Sequence, residues 1–511
     1  MIPVCETDKE IFARYFYYWR CNTMLKNLNK KSLKIFAAAV IMILCTGLLA
    51  FANEGHGHPD VGGQLPLWSV IPFVGMLLSI AIFPLVKGEW WEHNMLKVAI
   101  FWALLFLIPF GIAYGGHVLT FYVLETILLD YLPFIVLLFG LFVAAGGIVL
   151  KGSIAGTTKT NLVMLLIGTA LASWIGTTGA AMLMIRPILK ANAWREKKAH
   201  TVIFFIFMVA NIGGCLTPVG DPPLFLGFLR SVPFFWTLKL FPLMIVNIAI
   251  LSVLYFIIDS RSMKKELAAG RKPDMDPENK EKIRIEGAHN FIFILMVVGA
   301  VILNGVVTKF DFFMDQATHE LHGIDIMGVV MPYNSIMQML IILIAAFLSM
   351  KTTKKQTRED NSFTFAPIEE VAKLFIGIFL TMIPALALLK TNGASLGIEE
   401  PWQFFWMTGA LSSFLDNAPT YLVFLTTAGA MGATSGVATT VGTVTSINLI
   451  AISAGAVFMG ANTYIGNAPN FMVKSIAEEN KVKMPSFFGY MAWSLAILEP
   501  IFLIDMFIWF W

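Results

Sequence analysis

The chain has 511 residues, 57% hydrophobic and 14% charged, with a formal net charge of +3. A soluble domain carries about 25% charged residues, so this composition excludes an ordinary soluble globular protein. Apolar runs of the roughly 20 residues that cross a bilayer recur from position 66 to the last residue, and the ten-residue alternation of a β-barrel is missing. The expected fold class is an all-α polytopic membrane protein.

Residues 1–52 read as a leader. "KNLNKKSLK" (26–34) precedes an apolar run from Ile35 to Leu49 and then Ala50-Phe51-Ala52, the layout of a signal peptide over 24–52; an uncleaved first membrane helix is the other reading. Residues 53–65 form a short external segment in which His56 and His58 are more readily a solvated tail than a metal site. Of the four cysteines, Cys5, Cys21 and Cys45 lie in the leader and only Cys215 lies farther on, so no disulfide framework or cysteine metal site is expected.

Basic residues concentrate in alternate loops. Lys87 and Lys97 flank one, Lys151 and Lys159 another, Arg186 to Lys198 hold five, Arg261 to Arg284 eight, and "KTTKKQTR" (351–358) four. Lys/Arg mark cytoplasmic loops. Segments 66–86, 98–114 and 132–150 then cross in turn, with 115–131 as an external loop holding Glu125 and Asp130. Segment 161–189 must enter and leave on the basic side as a re-entrant hairpin, 200–229 runs outward, and 234–258 returns to a cytoplasmic linker over 259–290. In the second half 291–308, 334–350 and 368–389 cross, 402–430 is a hairpin entered from outside, 440–474 runs inward and 487–510 outward, with the C-terminus external. Two inverted repeats result, 66–258 and 291–511, each of five spans and one hairpin.

Internal similarity supports the repeat. "ALASWI" (170–175) matches "ALSSFL" (410–415), and "GCLTPVGDPPLF" (214–225) matches "GANTYIGNAPNF" (460–471) at Gly214/Gly460, Thr217/Thr463, Gly220/Gly466, Pro223/Pro469 and Phe225/Phe471. Inverted repeats with discontinuous helices meeting at the midplane are a transporter architecture. In TPVGDPP three prolines remove backbone donors and Gly220 opens conformations closed to other residues, so the helix should break and free carbonyl oxygens. Thr217 adds a hydroxyl and Asp221 a carboxylate, suited to Na⁺ or a proton. The second copy carries Asn467 in place of Asp221. The first hairpin tip, "SWIGTTGAAM", is uncharged, whereas "SSFLDNAPTY" holds Asp416 and Asn417. An ionisable group at membrane depth is a functional candidate, although either aspartate could simply cap a half-helix. Asn211, Asn462 and Asn467 could equally be interhelical hydrogen-bonders. Glu499 and Asp505 read as interface or kink residues, and "HELH" (319–322) lacks zinc-site spacing.

These residues resemble the ion transporter superfamily: NhaD-type sodium/proton antiporters, arsenite permeases, citrate and dicarboxylate carriers, and the group labelled citrate transporters. The resemblance covers residues 60–511 and rests on Asn211 with "TPVGD" and on "SSFLDNAP". It implies ion binding and coupling at Asn211, Thr217, Asp221, Asp416 and Asn417; Gly220, from the break itself, is a candidate beside them, and sodium is expected at Thr217, Asp221, Asp416 and Asn417. The carboxylate-carrier branch implies a substrate or second ion site at Thr177, Thr178, Asn417, Thr420, Asn462 and Thr463, and Asn467, the counterpart of Asp221, is a further candidate for it. One departure stands out: the antiporters carry an acidic first hairpin tip, whereas this chain has Gly176-Thr177-Thr178-Gly179.

The expected function is sodium/proton antiport by alternating access, with citrate or dicarboxylate transport coupled to sodium or protons as the alternative. No Lys or Arg lies in a candidate motif to meet a tricarboxylate; Arg186 and Arg230 flank them. An intramembrane aspartyl protease would need G-x-G-D where this chain has Pro218-Val219-Gly220-Asp221, and no Walker loop appears, so no enzymatic activity is expected. No cofactor is expected beyond Na⁺ and H⁺ as transported or coupling ions. The expected partners are small ions, a carboxylate anion, the bilayer of a bacterial-type inner membrane and a second copy of the chain, with no nucleic acid.

Overall fold

The computed structural model describes residues 61–273, 282–318 and 320–511. The leader with its signal-peptide reading, His56, His58, the middle of the polar linker and His319 lie outside these residues.

The chain is helical almost throughout. Helices α1 (Ile71–Val86), α2 (Gly88–Tyr114) and α3 (Gly116–Glu125) follow one another with minimal loops, and a π-helical turn, Thr126–Tyr131, carries α3 directly into α4 (Leu132–Ala145). The external loop expected over 115–131 is therefore helix, broken only at Gly115, whose φ of 86° is open to glycine. Its lack of Lys and Arg reflects an apolar helix rather than a surface loop. Residues 108–123 form a compact unit of their own, with Phe110 against Tyr114 (5.0 Å) and Tyr122 (5.7 Å). The other described residues form the second unit, to which everything below refers.

In that unit α5 (Thr158–Ile175) and α6 (Thr177–Ala191) make the first hairpin, joined by Gly176 alone. Then α7 (Ala199–Met208) ends, a 3₁₀ turn and irregular backbone follow, and α8 (Pro222–Leu229) resumes before α9 (Phe241–Ala268). The second half repeats this order. α10 (Asn290–Val307), α11 (Tyr333–Thr352), the short α12 (Lys355–Asp360) and α13 (Ala366–Asn392) precede a second hairpin, α14 (Pro401–Leu415) and α15 (Asn417–Ala430), joined by Asp416 alone. α16 (Ser446–Met459) and α17 (Ala468–Glu479) are the halves of a second broken helix, and α18 (Phe487–Asp505) ends the chain with a π-helical turn. Among the described residues nine helices are long and apolar enough to cross a membrane. The chain is an all-α polytopic membrane protein.

Contacts sort the connections into two ends. At one end strand β1 (Val149–Lys151) pairs antiparallel with β2 (Arg284–Glu286), and Lys151 bridges Glu286 (3.0 Å) and Asp360 (2.5 Å). Arg358 donates to the Val143 carbonyl at 3.0 Å, and Asn361 donates to those of Gly146 and Ile148 at 3.2 Å. Side chains from the "KTTKKQTR" region thus satisfy the carbonyls that the end of α4 leaves free. Arg195 pairs with Asp259 at 2.5 Å, both fully buried, and His200 Nε2 lies 2.7 Å from the same carboxylate. Removing one member of such a pair costs about 3–5 kcal/mol.

At the other end Arg230 holds Asp130 bidentately at 2.6 and 2.8 Å, its carbonyl accepts from Thr440 N at 3.1 Å, and Lys239 reaches Ser446 at 3.1 Å. Asp130, expected in an external loop, is a buried partner of Arg230.

Candidate functional site

The two hairpins and two breaks are built on one plan. Gly176 and Asp416, each the single residue at a hairpin tip, share nearly one backbone conformation, φ 79° and ψ 149° against φ 75° and ψ 137°. Only glycine enters that region without strain, so the second repeat tolerates an aspartate where the first has the favoured residue.

Below each tip a serine and a threonine cross-link hairpin to break. Ser173 Oγ donates to the Gly213 carbonyl at 2.5 Å and Thr217 donates to the Ser173 carbonyl. Ser413 Oγ donates to the Met459 carbonyl at 3.0 Å and Thr463 donates to the Ser413 carbonyl. The breaks themselves are glycine crossings. A Cβ on Gly220 would collide with the Gly214 carbonyl oxygen, and one on Gly466 would sit 2.6 Å from that of Gly460.

At the first break, Pro222 and Pro223 occupy the first two positions of α8, and Asp221 makes no side-chain bond to the helix it precedes. The prolines remove the first two N–H groups and the Leu224 N–H is taken by the Asp221 carbonyl at 3.1 Å, so the carboxylate is released from capping. It turns instead toward the other three motifs. Thr177 Oγ1 donates to Oδ1 at 2.9 Å, Asn467 Nδ2 donates to Oδ1 at 3.1 Å, and Asn417 Nδ2 donates to Oδ2 at 2.6 Å. One donor comes from each hairpin tip and one from the opposite break. All four residues are at most 2% exposed.

Around them Asn467 Nδ2 also lies 3.2 Å from Asn211 Oδ1, and Asn211 Nδ2 donates to Asn470 Oδ1 at 2.7 Å. Asn470 in turn donates to the carbonyls of Gly460 (2.8 Å) and Thr463 (2.9 Å). The amide oxygen of Asn417 is buried with no hydrogen-bond partner.

The sequence candidates therefore divide. Asp221, Asn417, Thr177, Asn467 and Asn211 belong to one connected network, with Gly220 shaping the crossing beneath it. Thr217 and Thr463 spend their hydroxyl protons on hairpin carbonyls. Thr420 donates to the Asp416 carbonyl at 2.8 Å, and Thr178 is half-buried on the first turn of α6. Asp416 caps α15, its Oδ1 accepting from Ala418 N at 3.1 Å. It makes no hydrogen bond to Asp221, but it directly precedes Asn417, which does. Of the four residues expected to share a sodium ion, Asp221 and Asn417 are the pair joined by a side-chain hydrogen bond.

A family model described as "Putative citrate transport" matches residues 62–510. The chain belongs to this family. It is thus a membrane transporter of citrate type, as the motif resemblance to the citrate transporter group implies. No curated protein matches it.

Three features of this citrate-transport family member escaped the sequence reading. Ser173 and Ser413, the cross-linking serines, are an identity in the ALASWI/ALSSFL alignment, so their signal was present. Asn470 has no such signal, because its counterpart position, 246 residues earlier, is the apolar Leu224. Glu499, read as an interface or kink residue, accepts from Asn462 Nδ2 at 2.9 Å, and the same amide reaches Ser413 Oγ at 3.1 Å. This places a half-buried carboxylate beside the second break.

Proposed function

We propose that this protein is a secondary transporter in which Asp221 takes the coupling cation, Na⁺ or a proton, and a carboxylate anion of the citrate type crosses with it by alternating access. The observation that carries the reading is the convergence of both hairpin tips and the opposite break on one buried carboxylate. Its three donors are neutral, and no Lys or Arg belongs to the network among the described residues. A tricarboxylate would need compensating positive charge there, since an unpaired buried charge is costly; a co-bound cation or proton supplies it. Asn417 offers a simple link between cation and hairpin. Its NH₂ group donates to Asp221, and a half-turn of the amide, whose two ends differ little in shape, would present its unpartnered oxygen as a ligand instead. Asp416 stands next to the network as the second acid.

Sodium/proton antiport is the second reading, favoured by two nearby acids in a site without a basic partner. Proteoliposomes separate the two. Saturable uptake of labelled citrate that requires an inward Na⁺ or proton gradient, and that is lost in Asp221→Asn, is the expected result. Sodium-dependent proton flux in the absence of citrate, with no citrate uptake, would transfer the assignment to antiport. Absence of both activities would overturn both readings.

A further inference from the structure

A second carboxyl group lies wholly inside the protein, away from the four motifs. Asp505, in the last turn of α18, is 0% exposed, and so is Asn247 on α9, the span that holds the corresponding place in the first repeat. Asn247 Nδ2 donates to Asp505 Oδ2 at 2.7 Å and to the Leu243 carbonyl at 2.9 Å. That amide is the only group that donates to Asp505 among the described residues, and no Lys, Arg or His pairs with it. The remaining oxygens of the pair, Asp505 Oδ1 and Asn247 Oδ1, are both buried without a partner.

As an anion, Asp505 would be a charge in the protein interior with one neutral donor and one unpartnered oxygen, held by an amide that has an unpartnered oxygen of its own. Buried ions need pairing and hydrogen bonds to all their oxygens, so this arrangement does not suit a carboxylate. A metal cation fits no better, because two oxygens fall well short of the six or so that a hard cation takes. One proton completes both atoms together. As the acid, Oδ1–H can donate to Asn247 Oδ1 while Oδ2 accepts from Asn247 Nδ2, closing a two-bond acid–amide ring.

We infer that Asp505 and Asn247 form a proton-binding site, separate from Asp221, in which Asp505 is held as the neutral acid and ties the last helices of the two repeats together. Because both residues are fully buried, this proton stays in place during transport.

The test is infrared spectroscopy of the purified full chain at neutral pH, with exchange into D₂O and Asp505→Asn as the comparison. The asparagine reproduces the ring bond for bond: its NH₂ donates to Asn247 Oδ1 and its oxygen accepts from Nδ2. The expected result is a protonated-carboxyl C=O band in the native protein that is missing from Asp505→Asn, with thermal stability and gradient-driven uptake kept within about twofold. Asp505→Leu, which strands the Asn247 amide, should be clearly less stable. Identical carboxyl bands in native and Asp505→Asn protein would overturn the proposal. So would failure of Asp505→Asn to fold, because an ionised aspartate is what that change would then have removed. A folded Asp505→Asn with abolished uptake would overturn the static role. Failure of the citrate-transport reading leaves the infrared result standing.

Discussion

Replacing Asp416 with glycine separates the two things this residue does, shaping a hairpin tip and presenting a carboxylate. Its φ of 75° with ψ of 137° is a region that costs a non-glycine residue about 1–3 kcal/mol. Glycine removes that strain. Against it stand the loss of the cap bond to Ala418 N, a few tenths of a kcal/mol for aspartate to glycine, and the greater freedom of glycine in the unfolded chain, about 0.5–1 kcal/mol. The balance favours Asp416→Gly by about 1 kcal/mol, the state already present at Gly176. Asp416→Ala keeps the strain and loses the cap, so it should be about 1 kcal/mol less stable than the native protein. Thermal unfolding in detergent, followed by intrinsic fluorescence, should therefore rank glycine above aspartate and aspartate above alanine. Uptake by Asp416→Gly in proteoliposomes should fall despite its stability, because strain persists where function holds it. A glycine variant less stable than the alanine variant would refute the strain argument. A stabilised one with native uptake would refute the functional role.

Asn467→Asp would set a second carboxylate against Asp221 Oδ1, Asn211 Oδ1 and the Ala210 carbonyl, stranding acceptors at about 1–3 kcal/mol each; a lower melting temperature that acid or Na⁺ partly restores is the expected outcome. Gly466→Ala forces a Cβ to 2.6 Å from one backbone oxygen and 2.9 Å from another, an overpacking of about 3 kcal/mol that should abolish a monodisperse elution profile. Arg230→Met leaves Asp130 buried and unpaired and should cost about 3–5 kcal/mol, with Asp130→Asn in the same chain recovering part of it in a double-mutant cycle. The Lys151–Asp360 bridge predicts pH dependence: the Lys151 ammonium, first among its bonded partners, holds the Asp360 carboxyl below its ordinary 3.8, and the two carboxylates it meets hold Lys151 above its ordinary 10.5. The bridge is therefore at full strength from pH 3.8 to 10.5; it is lost in acid as Asp360 protonates below the first value, and in alkali as Lys151 deprotonates above the second. Lys151→Met should flatten both limbs of a stability–pH profile.

Much of this architecture was legible in the residues. Apolar length marks the spans, and proline with glycine at 217–223 and 463–469 marks the breaks, because neither residue pattern can continue a helix in a medium without water. Asp221 and Asn467 stood out for the same reason. The stretch 115–131 was misread because a basic-poor segment looks the same as helix or as loop when charge is the only signal.

What no local pattern could decide is which candidate side chains meet. Thr217, Asp221, Asp416 and Asn417 share one chemistry in the sequence, yet Thr217 is bonded to a hairpin carbonyl, Asp416 caps its own helix and Asp221 faces Asn417 across the two repeats. The first spans 44 residues and the last 196, and both depend on how distant segments of the chain pack together. A buried carboxyl takes whichever donors packing brings to it, and only the tertiary structure chooses them.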